Sequence, residues 1–549
     1  MDSDTLSNIL SIKNPFSKAQ LQEGIKLWPK SLETCVKRSA LFKSLQQDAR
    51  GDTKTALLLQ HVESLSTSLE PLLREATPTE KEGYDQVYFR GTPWSGINSI
   101  PFALMILSVY KSYIVPAVGL ILPLISCILP YILLRVFYNI PITITEYTTI
   151  LWRMWNGQGM PRTPDELFNP PPAPPEDAFT QIRRLAQNAW TIFTLGQTLW
   201  QPIQQARHFI KLDGNCLALG ECIIDLKETA GELIGSWGRY FPKWIITWIA
   251  SCPNSTREAF AFVLENPFWL SHTFRGLGRF EVIYRLAKRA DIVTTEFING
   301  EEPVLMLKGF GDPSIDADKR VLSSLRLGGS AGASGTRLGG GGGRSREVNH
   351  SILTGPNRGG KSSFMRGALT NILLSHAFGC AFAEKAQMTH FSWIANGLRL
   401  DDTPGKQSMF EREVAFSSSV LQKSGGRGIV LYDELFHSTN PPDAIRSSEI
   451  FCNSLWNKRN CVSILSTHVY SLARAAPLEL VKPICVAAWV SDNGFKFSYT
   501  VQKGVCEVSS VDLVLKQYGL LPVGRQLSAV GPSAQLSEVG PSAQPRLLG

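Results

Sequence analysis

Residues 351–363 read Ser-Ile-Leu-Thr-Gly-Pro-Asn-Arg-Gly-Gly-Lys-Ser-Ser. Gly355 to Ser362 fits the pattern G-x-x-x-x-G-K-[ST]. An apolar strand signal, Ser351-Ile352-Leu353, precedes it, and a helical run from Ser363 to Leu369 follows. This pattern constrains the fold more than any other in the chain, because a strand must run into a tight loop that opens a helix. Glycines let backbone N–H groups converge on phosphate oxygens without a β-carbon in the way. The helix N-terminus adds a field that favours anions. Lys361 supplies a point charge for the β- and γ-phosphates, and the Ser362 hydroxyl can ligate Mg²⁺. The loop set is Thr354, Gly355, Pro356, Asn357, Arg358, Gly359, Gly360, Lys361, Ser362 and Ser363. The expected cofactors are ATP and Mg²⁺.

Such a loop needs an apolar strand that ends in an acid. Ile429 to Tyr432 is that strand, and Asp433-Glu434 close it. Asp433 is placed to hold Mg²⁺, and Glu434 to orient and polarise an attacking water. A third apolar strand, Ser463 to Ser466, runs into Thr467-His468. A histidine at a strand tip can sense the γ-phosphate or position the water. The catalytic expectation is Glu434, His468 and Lys361, with Ser362 and Asp433 as metal ligands.

The rest of the chain divides by composition. Residues 1–90 are polar and helix-like in apolar spacing. From Gly91 to Tyr110 no side chain is charged; after Lys111, the 23 residues from Ser112 to Leu134 are again uncharged. That length crosses a bilayer core of about 30 Å. Pro116, Pro123 and Pro130 recur every seven residues, and membrane helices tolerate interior proline better than soluble ones. Two readings of 91–136 stay open: a transmembrane or re-entrant hairpin, with residues 98–134 in a membrane, or a buried helical hairpin. Residues 161–177 read as a Pro-rich linker. Residues 178–315 read as a helical core or lever domain, with a basic patch at Arg285, Lys288 and Arg289 whose plain reading is a solvated helix face. A Gly-rich insertion at 328–343 and a tail at 525–549 read as segments without a fold.

Charged residues are 19% of the chain, below the roughly 25% of an average soluble protein. The longest charge-poor stretch is 91–134, where Lys111 is the one charged residue. The net charge of +8 suits DNA and suits anionic lipid. Ten scattered cysteines show no CxxC and no zinc spacing, so they read as reduced core residues. The N-terminus lacks a basic segment followed by an apolar run. The expected location is intracellular and not secreted: nuclear or nucleoid-associated if the chain acts on DNA, an intracellular membrane if 98–134 inserts.

These motifs resemble the ATPase domain of the MutS family of DNA mismatch-repair proteins. The family's T-G-P-N-x-G-G-K-S is matched by Thr354 to Ser362. Its G-x-S-T-F-M-x-E looks like Gly405 to Glu413, with Met409 in place of the threonine. Its D-E-x-G-R-G-T looks like Asp433 to Thr439, with Phe436-His437-Ser438 in place of Gly-Arg-Gly and then Asn440-Pro441-Pro442. The strand ending in Thr-His looks like Thr467-His468. The likeness is strong over 345–522 and weaker over 180–315. It implies an α/β P-loop ATPase of the ABC type, like the MutS C-terminal domain, with a mixed sheet after a mainly helical lever. It implies that Asn357 faces the phosphates. It implies that Ser408 reaches the γ-phosphate of a partner subunit's ATP, so the ATPase domains act as a homodimer or heterodimer. The family's Phe-x-Glu wedge has no counterpart in residues 1–100. The expected function is an ATP-dependent DNA-binding ATPase in mismatch repair or DNA-structure recognition. The alternative is a membrane-anchored MutS-like mechanical ATPase.

Overall fold

The computed structural model describes residues 3–89, 94–100, 102–155, 178–329, 348–398, 408–491, 494–508 and 515. The expected Pro-rich linker and tail, and the Gly-rich insertion apart from Gly328 and Gly329, lie outside them. By internal contacts the chain forms two units: residues 1–53 with 277–549, and residues 54–276. The first therefore joins the N-terminal helices to the nucleotide-motif region, across the composition boundary at residue 90.

The first unit begins with α1 (Ser3–Ile9), α2 (Pro15–Lys26) and α3 (Leu32–Asp48). Asn14 and Ser31 cap α2 and α3 by accepting from Phe16 N and Thr34 N.

The second unit is helical. It comprises α4 (Lys54–Ser68), α5 (Glu70–Leu73), α6 (Pro78–Tyr84), α7 (Ala103–Val109), α8 (Val115–Ile132) and α9 (Ile144–Trp155). The 60-residue α10 (Ala178–Trp237), then α11 (Lys243–Ala250) and α12 (Thr256–Glu265), follow. One helix, α13 (Phe268–Lys288), begins in this unit and ends in the other. Wide π-helical turns at Tyr110–Ile114 and Leu133–Phe137 make 103–137 one helical path. The helix Ala103–Pro123 is long and apolar enough to cross a membrane, and only 22% of its most apolar window is buried.

Back in the first unit, strands β1 (Val293–Thr294), β2 (Glu296–Ile298), β3 (Leu305–Phe310), β4 (Ser323–Leu327) and β5 (His350–Thr354) lead into α14 (Lys361–Phe378). There follow β6 (Cys380–Ala381), β7 (Lys385–Thr389), β8 (Trp393–Gly397), α15 (Met409–Gln422) and β9 (Gly428–Tyr432). The unit continues with α16 (Pro441–Trp456), β10 (Cys461–Ser466), α17 (Tyr470–Arg474), β11 (Val481–Ser491) and β12 (Gly494–Lys503). The main sheet is mixed, in the order β12-β11-β5-β10-β9-β8; only the β11–β12 pair is antiparallel. A smaller sheet has the order β2-β7-β3-β4.

Both faces of the main sheet are covered, so its central strands are apolar throughout rather than alternating with polar residues. Ile429 and Leu431 face one core with Phe364 and Met365 of α14. Val430 and Tyr432 face the other with Phe451 and Leu455 of α16. The N-terminal helices pack on α14: Trp28 stacks on His376 at 4.4 Å, and Arg38 Nη1 donates to His376 O at 2.6 Å.

Each cation of the basic patch at the end of α13 has a partner, although Lys288 remains exposed. Arg285 Nε bonds Glu281 at 2.6 Å. Lys288 Nζ donates to the Asp52 carbonyl at 2.7 Å, and Arg289 Nη1 to the Ile9 carbonyl at 3.0 Å. Arg289 thus satisfies the last carbonyl of α1, and Lys288 carbonyls of the turn that follows α3. The cysteines are all free, and buried apart from Cys127 and Cys222.

Candidate nucleotide site

Three parallel strands bring the motifs together. β10 lies between β5 and β9, with Leu353 opposite Ser466 and Leu465 opposite Tyr432. The glycine loop, Thr467-His468 and Asp433-Glu434 thus leave neighbouring strands at their C-terminal ends. In open α/β sheets that edge is where ligands bind.

The loop is shaped before any ligand arrives. Gly355 has φ +142°, and a β-carbon there would stand 2.9 Å from the Val486 carbonyl oxygen. Gly360 has φ +99° and opens α14. At Gly359 a β-carbon would meet the Pro356 oxygen at 3.0 Å. Close neighbours at Gly355 and Gly359 and the positive φ at Gly355 and Gly360 disfavour a side chain at these positions, which keeps the loop's backbone open. Thr354 Oγ1 accepts from Cys506 N at 3.0 Å, tying the base of the loop to the segment after β12. Lys361 is buried, and its ammonium donates to the Gly355 and Pro356 carbonyls at 2.9 and 3.1 Å. Burial pushes its pKa down, and the Glu434 and Asp433 charges oppose that. Asn357, Arg358 and Ser362 are exposed at the loop's surface. The Ser363 hydroxyl accepts from Arg366 Nη2 at 3.1 Å.

The acid pair is held by a residue that motif reading passed over. Ser466 Oγ donates to the Asp433 carboxylate and accepts from Glu434 N at 2.8 Å. Glu434 sits at φ +53°, a strained conformation for a residue with a β-carbon. Its carboxylate lies 3.7 Å from His468 Nε2. The adjacent imidazole holds that carboxyl below its ordinary range, against the opposing effect of burial.

Ser408 is the N-cap of α15. Its hydroxyl accepts from Glu411 N at 3.2 Å, and the Glu411 carboxylate accepts from Ser408 N at 2.8 Å. Both of these bonds stay within Ser408's own helix. Glu413 on the same helix is buried and meets two residues after the acid pair: Ser438 Oγ, and His437 Nδ1 at 2.9 Å. Neither contact was legible from spacing.

Two departures from the family pattern acquire a physical account. Phe436 occupies the place of the first glycine with φ +48°, the region glycine tolerates freely. Its ring is buried among Phe410, Tyr432 and Phe451, and that burial offsets the strain. Asn440 caps α16 by accepting from Asp443 N at 3.1 Å, with proline at the first helical positions. Tyr499, another residue that motif reading passed over, stands beside Gly360 at φ +54°.

The residues fit ATP and Mg²⁺: a cradle without side chains, a buried lysine, a loop serine and an acid pair. Among the described residues no cluster of three or more His, Cys, Asp or Glu side chains could hold a metal by itself.

The family described as MutS domain V matches residues 351–522. Residues 351–522 are therefore similar to the MutS family, as their motifs led us to expect. Over 170 residues the chain is 30% identical to DNA mismatch repair protein MutS of Thermus thermophilus, covering 31% of this chain and 21% of that protein. It is 27% identical over 168 residues to DNA mismatch repair protein spellchecker 1 of Drosophila melanogaster, covering 30% and 18%. A MutS of Natronomonas pharaonis matches at 27% over 160 residues, covering 29% and 19%. The chain spans about a fifth of the length of the curated relatives it matches. The β5 loop, the acid pair and His468 all lie inside the MutS match.

Proposed function

We propose that this chain is a Mg²⁺-dependent MutS-type ATPase that binds DNA and works as a dimer through its ATPase domains, in mismatch repair or in recognition of other DNA structures. The observation that carries the ATPase reading is the departure of the glycine loop, His468 and Asp433-Glu434 from one edge of three adjacent parallel strands. The relatives' names as DNA mismatch repair proteins support the DNA reading.

ATP and Mg²⁺ supply the phosphoryl group and the charge that neutralises it. Thr354 to Ser363 would cradle the phosphates, with Lys361 as the fixed cation. Ser362 and Asp433 would hold the metal. Glu434 would orient a water and take its proton on the carboxylate, with His468 keeping that carboxylate ionised. Ser408 would complete the site of the partner subunit. Helices feeding the ATPase unit would carry nucleotide state to DNA.

ATP turnover, measured with homoduplex, mismatched and branched DNA at two salt concentrations, tests this. DNA should stimulate turnover and bind more weakly at high salt. Turnover and gel mobility indifferent to every DNA at low salt would remove DNA from the proposal. Absence of turnover would remove the ATPase.

A second reading is a MutS-like ATPase anchored to an intracellular membrane by residues 98–134. It is favoured by the exposure of the long apolar helix Ala103–Pro123. Retention in the pellet after alkaline carbonate extraction would support it; release would exclude it.

A further inference from the structure

The strained backbone of Glu434 is held from two sides. From β10, Ser466 Oγ accepts from Glu434 N at 2.8 Å. From the loop beyond the acid pair, His437 Nδ1 lies 3.2 Å from the Glu434 carbonyl oxygen. The same nitrogen stands 2.9 Å from Glu413 Oε1 on α15. Carbonyl and carboxylate oxygens are both acceptors, so Nδ1 carries a hydrogen. A carboxylate beside one ring nitrogen fixes which nitrogen does so and how the ring is turned. Glu413 therefore stands behind His437 as His437 stands behind Glu434.

The burial of Glu413 makes this arrangement binding on both sides. Its carboxylate is fully buried, and a buried carboxylate needs donors. Among the described residues, those that reach it come from the loop: Ser438 Oγ donates to Oε2, and His437 meets Oε1. A loop that moved away would strand a buried charge. Where the family pattern has Gly-Arg-Gly, this chain has Phe436-His437-Ser438. Glycine at 438 would offer no side-chain donor, so the Ser438 tie is this chain's own.

Packing alone does not fix the loop. It borders a cavity of about 470 Å³ lined by Glu434, His437, Thr439, His468 and Tyr470 among others. The His437 side chain is 49% exposed. The buried Phe436 ring anchors the chain between them but offers the Glu434 carbonyl no hydrogen bond. Glu434 and Phe436 both sit at positive φ, and such angles persist only where the surroundings impose them. The helix that supplies Glu413 also begins at the Ser408 cap, five residues earlier.

We propose that Glu413 is a positioning residue for ATP hydrolysis. Through His437 it holds the carbonyl of Glu434, and through Ser438 it holds the loop behind it. The base thus keeps the backbone angle at which its carboxylate meets His468. One helix then carries both Ser408, proposed for the partner's site, and the carboxylate that steadies the base of its own site.

The inference rests on Glu434 as the base, and its test separates the two. Single-turnover ATP hydrolysis is measured on the full-length chain, with ATP affinity and a thermal melt for every variant. Glu413→Gln keeps the volume but sets an amide against the loop's donors. Its hydrolysis should slow about tenfold or more, as small misplacements of a reacting group do, with ATP affinity unchanged. His437→Leu should slow hydrolysis likewise. The double variant should be no slower than the slower single, because the two residues form one tie. His437→Asn offers an amide N–H near the place of Nδ1 and should restore most of the rate. Ser438→Ala leaves Glu413 its imidazole and should also slow hydrolysis; it carries the test if Glu413→Gln does not fold. Wild-type hydrolysis by Glu413→Gln and His437→Leu overturns the inference. A loss confined to the melt or to ATP affinity overturns it in favour of a structural role. Losses that multiply in the double variant, or His437→Asn as slow as His437→Leu, overturn the tie. Glu434→Gln is run alongside. Normal hydrolysis by Glu434→Gln removes Glu434 as the base. Slow Glu434→Gln beside normal Glu413→Gln removes the positioning role alone.

Discussion

At the residue scale the site turns on one carboxylate. Glu434 is held at a strained φ by Ser466 and faces His468. Glu434→Gln keeps the shape and removes the base. ATP binding should survive, and single-turnover hydrolysis should fall by roughly 10²-fold or more; unchanged hydrolysis would show that the proton goes elsewhere. The imidazole holds the carboxyl below the ordinary 4.5. His468→Ala therefore moves its titration up. Since the ionised form acts as base, the acid limb of the turnover–pH profile should shift to higher pH, and a limb that stays in place counts against the pairing. Nothing in sequence spacing identifies Ser466, because a serine one residue before a Thr-His looks like any strand residue until β10 is laid beside β9.

At the element scale α15 separates a structural role from a functional one. Ser408 caps this helix, and its loss costs about 1 kcal/mol. Aspartate caps as well as serine, so Ser408→Asp should leave the thermal melt nearly unchanged. If Ser408 reaches a partner's γ-phosphate, the new carboxylate repels it and turnover collapses; normal turnover by Ser408→Asp would leave the cap as its whole role. The loop after the acid pair offers a second case. Phe436→Gly relieves the positive φ but empties a buried aromatic site. Removal of a buried aromatic costs about 3–5 kcal/mol, more than the 1–3 kcal/mol of strain returned. The variant should be less stable in denaturant titration, although it restores the family's residue.

At the scale of the whole molecule, buried histidines make stability depend on pH. Burial lowers the His350 pKa to about 4 and the His376 pKa to about 3, from 6.5. Between those values and 6.5 the unfolded chain binds protons that the fold excludes. Stability is therefore complete above pH 6.5 and declines as pH falls, by up to roughly 3 kcal/mol for His350 alone. Thermal melts from pH 7.5 to 4.5 should show the decline, with a shallower slope for His350→Asn; an unchanged slope would mean that His350 does not contribute.

The nucleotide motifs were legible in the linear order because their chemistry is local. A glycine loop needs its glycines within eight residues, and an acid pair must end its own strand. The same holds for the uncharged run 112–134, which composition alone exposes. Long-range pairing was not legible. That residues 1–53 pack with the α/β unit depends on contacts such as Trp28 on His376, more than 300 residues apart. That Lys288 and Arg289 are ties depends on carbonyls brought in from the turn after α3 and the end of α1. The sequence by itself determined the chemistry, because reactive groups must be held over short spans of backbone. The tertiary structure decided the neighbours, because burial and pairing energies depend on which surfaces meet.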